Sequence, residues 1–394
     1  MIKLQEYKNV KRVKLKDCCS AIFSGGTPLT SKEQYYDGNI PWIRSGEIDF
    51  NRIFRSERNI SQEGLENSSA KLIRPKSVVM AMTGATVAKV ATIEAEMAAN
   101  QSVCAIETNS QLDYRFLYFY LATKYLQLRN SAQGALTSLN LERIKNIEIP
   151  LPPLNIQKEI VTILDSFTSL IDKMKQEVEM RKKQMDYYRE KLFSFGKGEC
   201  EWRSLNELFT FKNGINKGKS DFGRGTPIIN YVDVYRKRGL VKEDIKGLVK
   251  SNASEQSRYK CKRGDVFFTR TSETKEEVGF PSVLLEDIEN CVFSGFVLKA
   301  TPTTDLLDTH YCKYCFFTYQ FRKEVIKSAT YTTRALTNGT SLSKISIPVP
   351  SLEKQRQIAS ILDSFETYIS KLEKMIELRQ KQYEYYREKL LTFE

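Results

Sequence analysis

Histidine is almost missing from this chain: His310 is the only one among 394 residues. A Ser-His-Asp or Cys-His constellation therefore has at most one imidazole to draw on. Zinc usually takes four ligands in two closely spaced pairs. His310, Cys312 and Cys315 offer three at best, in a segment that reads as helix, and no second Cys-x-x-Cys exists. The expectation is that these are small packed residues on a helix face. The remaining cysteines are scattered, with Cys18 and Cys19 adjacent. Gly214-Ile-Asn-Lys-Gly-Lys-Ser220 falls one residue short of the phosphate loop GxxxxGK[ST] and reads as a flexible basic loop. No Gly-rich dinucleotide fingerprint lies between a clear strand and a helix, and no acidic spacing argues for a metal. Neither a catalytic centre nor a cofactor or metal site is expected in this chain. No apolar run approaches the roughly 18 residues that span a bilayer. The opening Met1-Ile-Lys-Leu-Gln-Glu-Tyr-Lys8 has no signal-peptide core, so a cytoplasmic protein is expected.

What is abundant is positive charge and repetition. Lys and Arg number 61 against 48 Asp and Glu, a net charge of +13, which favours a polyanionic partner. The basic residues form no single tail. They recur in Gly- and Ser-rich loops such as Lys212-Asn-Gly-Ile-Asn-Lys-Gly-Lys219 and Tyr235-Arg-Lys-Arg238. Hydrophobic residues make up 41%, with 20 Tyr and 21 Phe, enough for real cores.

The strongest pattern is a duplication. Ile149-Pro-Leu-Pro-Pro-Leu, Gln157, Ile163-Leu-Asp-Ser-Phe167 and Tyr187-Tyr-Arg-Glu-Lys-Leu192 return without a gap as Ile347-Pro-Val-Pro-Ser-Leu, Gln355, Ile361-Leu-Asp-Ser-Phe365 and Tyr385-Tyr-Arg-Glu-Lys-Leu390. A period near half the chain length means two similar halves in tandem, not a solenoid. Each copy predicts a long helix, starting near Pro153–Asn155 and near Ser351. Ser351 suits an N-cap, and Pro153 fits the first turn of a helix.

A 4,3,4,3 spacing picks out Ile160, Leu164, Phe167, Ile171, Met174, Val178, Arg181, Met185, Tyr188 and Leu192. The same spacing gives Ile358, Leu362, Phe365, Ile369, Leu372, Ile376, Arg379, Tyr383, Tyr386 and Leu390. Helices of about 60 Å need a partner. The other copy in the same chain, lying antiparallel, is the expected one; the alternative, a parallel homodimer, needs a second chain. Arg181 and Arg379 share one seam slot. They either fix the register of the pair or snorkel out of it.

Upstream of each helix lies a globular segment of mixed strands and helices. Ser24-Gly-Gly-Thr-Pro28 and Ile40-Pro-Trp-Ile-Arg44 correspond to Lys212-Asn-Gly214 and Thr226-Pro-Ile-Ile-Asn230, with Asn213-Gly214 in place of the Gly-Gly and Ile228 in place of the Trp. Arg44 then faces Asn230 and Met82 faces Arg270, while Gly134-Ala-Leu-Thr137 is matched to Arg334-Ala-Leu-Thr337. A matched scaffold with mismatched loop tips suits two readers of different targets. Arg pairs with guanine and Asn with adenine in the major groove. The candidate DNA-contacting residues in the first half are Ser24, Gly25, Gly26, Thr27, Arg44, Ser45, Thr83, Thr86, Thr137 and Ser138. In the second half they are Lys212, Asn213, Lys217, Lys219, Asn230, Arg270, Thr271, Arg334 and Thr337.

The Pro-rich strand-to-helix junctions, the Gln157…Ile163-Leu-Asp165 run with its copy, and Ser24-Gly-Gly-Thr-Pro28 followed by Gly38-Asn-Ile-Pro-Trp-Ile43 resemble the specificity subunit of type I DNA restriction–modification enzymes. The resemblance covers essentially the whole chain. It implies an α/β (α+β) fold: two tandem mixed target-recognition domains, at 1–150 and 197–348, joined by two long helices at 151–196 and 349–394. The helices would form an intramolecular antiparallel coiled coil with a pseudo-two-fold axis. Each domain would read one half of a split, asymmetric site on double-stranded DNA. The helices would set the spacer and dock two methyltransferase subunits, with restriction–translocase subunits in the larger complex. S-adenosylmethionine, ATP and Mg²⁺ would belong to those partners. Tyr187, Arg189, Tyr385 and Arg387, identical in both copies and off the seam, are the candidate docking residues. A coiled-coil scaffold with protein-binding heads is the main rival, and a nuclease with an unrecognised site the second.

Overall fold

A computed structural model describes residues 10–132 and 138–393, which form two compact units. The first comprises 1–175 and 374–394, the second 176–373.

The first unit is built on a five-stranded sheet: β1 (Cys19–Ser24), β2 (Arg52–Ile53), β3 (Ser77–Ala81), β4 (Val90–Ile93) and β5 (Val103–Thr108), in spatial order β1-β5-β3-β4-β2. All neighbours are antiparallel except β2 with β4. The apolar run of β3 is buried along its length. Because side chains alternate across a sheet, its residues divide between two cores. Val78 and Met80 meet the helix α1 (Tyr114–Thr123), whose Phe116, Leu117 and Phe119 are fully buried. Val79 and Ala81 meet Ile43, Ile48 and Ile73 on the other face. There a second sheet pairs Ile40–Ile43 with Arg58–Ile60 and, in parallel, with Met97–Ala99.

The long helix α2 (Leu154–Leu192) begins at Leu154, leaving Pro153 just outside as the cap position. Its first turn is anchored by Gln157, which is fully buried. The Gln157 amide donates to the Gln111 and Pro152 carbonyls at 2.9 and 2.8 Å, and its oxygen accepts from the Asp113 N–H at 2.8 Å. One helical stretch further, Asp165 pairs with Arg115 of α1.

The second unit repeats the plan. Its sheet contains β6 (Phe209–Asn213), β7 (Gly239–Leu240), β8 (Val266–Thr269), β9 (Pro281–Leu284) and β10 (Val297–Pro302), ordered β6-β10-β8-β9-β7, again with only β7–β9 parallel. Helix α3 (Thr309–Cys315) takes the place of α1, and α4 (Leu352–Leu391) is the second long helix. Ser351 caps α4 through its hydroxyl, which accepts from the Lys354 N–H at 3.3 Å. Gln355 repeats the anchor, bonding the Leu306 and Pro350 carbonyls and the Asp308 N–H, each at 2.8 Å. Asp363 accepts from the Lys313 ammonium at 2.7 Å and the Tyr314 hydroxyl at 2.6 Å, and lies 2.8 Å from His310 Nδ1. Burial works to raise the Asp363 carboxyl, but Lys313, Tyr314 and His310 together hold it below the usual carboxylate range.

α2 and α4 pack together antiparallel within each unit. Phe167 stacks on Tyr386 at 5.5 Å in the first unit, and Phe365 on Tyr188 at 5.6 Å in the second. These are the same two positions of the repeat, exchanged. The seam is the predicted one: Ile160, Leu164, Ile171 and Met174 are buried, as are Ile358, Leu362, Ile369 and Leu372.

Candidate nucleic-acid interface

In the first unit, four chain segments are drawn together by backbone bonds. Asn100 N–H donates to Ile43 O at 2.9 Å, Met82 N–H to Ser102 O at 2.8 Å, and Leu139 N–H to Met82 O at 2.8 Å. Thr83 bridges Ser138, and the Thr86 hydroxyl donates to Ser45 O at 2.9 Å. Arg44, Ser45, Thr83, Thr86 and Ser138 therefore converge on one loop cluster. The Ser24–Thr27 turn joins it, because Gly26 N–H bonds Ala99 O at 2.8 Å and the Trp42 indole donates to Gly26 O at 3.0 Å. Gly25 and Gly26 are buried. A Cβ on Gly25 would lie 2.1 Å from Ala99 O, so this residue serves close backbone approach. Ser24 and Thr27 stay partly open, with the Thr27 hydroxyl bonded to Gln101. Arg44 N–H donates to the Glu47 carboxylate at 2.8 Å at the start of a short turn, and its guanidinium pairs with Glu57 at 2.8 Å. Thr137 lies outside the described residues.

The second unit uses the same bonds. Ser294 N–H donates to Ile229 O at 3.0 Å, Arg270 N–H to Phe296 O at 3.4 Å, and Thr337 N–H to Arg270 O at 3.0 Å. Asn230, Arg270, Thr271, Arg334 and Thr337 are brought together, with Arg334 paired to Glu273 at 3.0 Å. The Asn230 side-chain amide turns back to Ile228 O at 3.3 Å. Thr337 is buried, and its hydroxyl has no partner among the described residues. Lys212, Lys217 and Lys219 belong to a separate group along β6 and the loop that follows it. There Lys212 reaches the Arg258 carbonyl, Lys217 pairs with Glu255 at 2.7 Å, and Lys219 and Asn213 are exposed.

These bonds confirm that Arg44 corresponds to Asn230, Met82 to Arg270 and Trp42 to Ile228, since Trp42 pairs with Ala98 as Ile228 pairs with Val292. They also correct two registers. Ile215 N–H donates to Phe293 O at 2.9 Å, as Gly26 N–H donates to Ala99 O, and the Cβ positions of Gly214 and Gly25 both face this same turn of backbone. Gly214 is thus the counterpart of Gly25, one position away from the predicted match, and Asn213 is that of Ser24. Likewise Thr271 pairs with Leu336 as Thr83 bridges Ser138, so Leu139 is the counterpart of Thr337. The shared Ala-Leu-Thr tripeptides are out of step by two. The sequence reading does not single out Phe296, although its Ser294-Gly-Phe296 setting marks a tight connection between strands.

Among the described residues, no group of three or more His, Cys, Asp or Glu is arranged to hold a metal. Cys312 and Cys315 are buried in α3, and burial pushes both thiols up, away from the thiolate a metal needs.

On the long helices, Tyr187 and Tyr385 are 61% and 58% exposed. Each stands edge-on to the next tyrosine, at 5.4 and 5.3 Å. Arg189 and Arg387 are instead half-buried: Arg189 pairs with Asp186 at 2.8 Å, and Arg387 lies over the Tyr383 ring at 5.4 Å. The tyrosines stand open to solvent and the arginines only in part.

Comparison with known proteins gives a consistent result. The family model described as type I restriction modification DNA specificity domain matches residues 7–180 and again 197–380. The specificity subunit of the type I restriction enzyme EcoR124I/EcoR124II of Escherichia coli is 29% identical over 76% of this chain and 76% of its own length. A putative type I restriction enzyme specificity subunit of Haemophilus influenzae is 31% identical over 75% of this chain and 76% of its own. Among solved structures, the S subunit of a type I restriction–modification system from M. genitalium superposes with a TM-score of 0.60 at 16% identity, covering 99% of this chain and 98% of that one. A chain from a structure concerned with complex assembly and conformational transition of the type I R-M system gives 0.62 at 16% identity, over 97% and 96%. These two share the fold.

Proposed function

Because the chain belongs to the type I restriction–modification DNA specificity family, with two copies of its domain in tandem, we propose that it is the non-catalytic DNA-reading subunit of such a complex. Each globular segment, 1–150 and 197–348, reads one half of a bipartite asymmetric site. The helical segments, 151–196 and 349–394, set the unread gap and dock two methyltransferase subunits through Tyr187 and Tyr385. Restriction–translocase subunits complete the assembly. S-adenosylmethionine, ATP and Mg²⁺ act in those partners, in the cytoplasm. No described helix is long and apolar enough to cross a membrane.

One observation carries this reading: two units of the same strand order gather loops at the same points and fill them differently. Arg44 holds the position that Asn230 holds in the other unit, and Met82 that of Arg270. A guanidinium favours guanine O6 and N7, and a carboxamide favours adenine N6 and N7. Arg44, Ser45, Thr83, Thr86 and Ser138 are the proposed base-reading group of the first half, with Ser24 and Thr27 beside them. Asn230, Arg270, Thr271 and Arg334 form that of the second. Lys212, Lys217 and Lys219 suit phosphate contacts, which position the duplex without reading it. Gly25, Gly26 and Thr337, being buried, shape the loops instead. A scaffold with protein-binding heads loses its ground, since the family match spans both globular segments.

The test is co-expression with the methyltransferase subunit, followed by mapping of methylated adenines. The expected result is a two-part asymmetric motif with a fixed gap. Methylation at one continuous motif, or without sequence preference, would overturn the proposal.

A further inference from the structure

Phe296 sits at the tip of the connection between Val292–Phe293 and β10, and it is 68% exposed. Single exposed apolar residues are ordinary; the setting of this one is not. Its loop is tightly held. Phe296 N–H donates to the Ser294 hydroxyl at 3.3 Å and Gly295 N–H to Ile215 O at 2.8 Å, while a Cβ on Gly295 would lie 1.9 Å from Asn216 Oδ1. The ring is thus presented to solvent by a loop pinned through hydrogen bonds at Gly295 and Phe296.

Arg270 lies against the same loop. Its N–H donates to Phe296 O at 3.4 Å, and its guanidinium Nη1 donates to Gly295 O at 2.9 Å, which leaves the fork further donors. Next to Arg270, Thr271 pairs with Leu336 and Ser272 with Ala335, and Ala335 pairs in turn with Tyr331; Leu336 and Tyr331 are 38% and 51% exposed. Open apolar and cationic side chains therefore share the loop cluster that gathers Asn230, Arg270 and Arg334. In the first unit the corresponding positions hold Ser102, Met82 and Ser138, so the aromatic tip belongs to the second unit alone.

We propose that Phe296 is a specificity-determining residue whose ring packs against a base in the half-site read by the second unit, with Arg270 braced behind it. The inference rests on the DNA-reading function proposed above. Apolar side chains read sequence through the thymine methyl group or by wedging between base steps. Such a contact gains from removing apolar surface from water and releases no counterions. It therefore changes base preference without changing the salt dependence of binding.

The experiment uses the full chain co-expressed with its methyltransferase subunit. Methylated adenines are mapped for the wild type, then for Phe296→Ser, which installs the first unit's residue, and for Phe296→Tyr. Because the ring is exposed, neither substitution disturbs a core, and retention of the methyltransferase subunit checks assembly. The expected result for Phe296→Ser is relaxed preference at one base pair of one half-site, with discrimination falling on the order of tenfold. The other half-site and the log-affinity against log-salt slope stay unchanged, and Phe296→Tyr retains the preference. A wild-type motif that Phe296→Ser leaves intact would overturn this inference alone. So would a uniform loss of binding with a shallower salt slope, or loss of the methyltransferase subunit. A wild-type complex with no two-part motif would overturn the DNA-reading function as well.

Discussion

Gln157 and Gln355 do the same work in the two units, and it is work an apolar side chain cannot do. A carboxamide buried without partners would cost several kcal/mol. Here each amide bonds two carbonyls and one N–H, tying the first turn of a long helix to the chain just before α1 or α3. Their partners include Asp113 and Asp308, whose carboxylates cap those helices. Replacing either glutamine by Ala leaves three backbone groups without this partner, one buried and two partly buried, each costing about 1–3 kcal/mol less whatever water recovers. Gln157→Ala should therefore destabilise the first unit by about 3 kcal/mol, and Gln355→Ala the second by a similar amount. Denaturant unfolding followed separately by Trp42 and Trp202, one in each unit, would show it. A midpoint unchanged within error for both variants would mean that the amides are dispensable.

The long helices were the most legible elements in the sequence, because their signal is local. A 3.5-residue repeat and a capping serine need no knowledge of distant strands. The seam, the N-cap at Ser351 and the antiparallel pairing within each unit all follow that reading. The shared seam arginines snorkel: Arg181 pairs with Glu177 at 2.7 Å and lies over the Tyr368 ring at 5.4 Å, and Arg379 bonds Gln382 at 2.6 Å. The loop registers were less legible. The match of Gly25 to Gly214 depends on how each glycine meets a strand about 75–80 positions away, and no tripeptide resemblance reveals that pairing. The exposure of Phe296 was hidden for the same reason. The helix surface, by contrast, supports a sharp expectation. Tyr187 and Tyr385 lie off the seam, so replacing both by Ala should leave the helices paired and the melting temperature nearly unchanged. If they anchor two copies of one partner, the double variant should weaken methyltransferase binding by at least about tenfold, as buried tyrosine anchors commonly do. Stoichiometric retention of the methyltransferase subunit at sub-micromolar concentration would remove these residues from the docking site.

One chain holding two copies of a scaffold can present equivalent surfaces to identical partners and different loops to DNA. The helices that carry the equivalence are also continuous between the units: α2 and α4 each contribute residues to both. If their length sets the gap between half-sites, shortening both should shorten that gap and leave the bases read untouched. The pairing pattern says where to cut. Phe167 with Tyr386 and Tyr188 with Phe365 fix an antiparallel register, and Lys182 meets Glu373 at 3.0 Å. Removing Lys173–Glu179 together with Lys374–Gln380 deletes one heptad from each helix at facing positions and keeps both aromatic stacks. A whole heptad preserves the seam, because the apolar stripe returns to nearly the same face after seven residues. The deletion shortens each helix by about 10 Å, close to the rise of three base pairs. Mapping methylated adenines in this variant should return the same two half-sites separated by about three fewer base pairs, with reduced overall affinity, since the half-sites also rotate about the DNA axis. An unchanged gap with altered half-site bases would show that the helices do not act as the ruler.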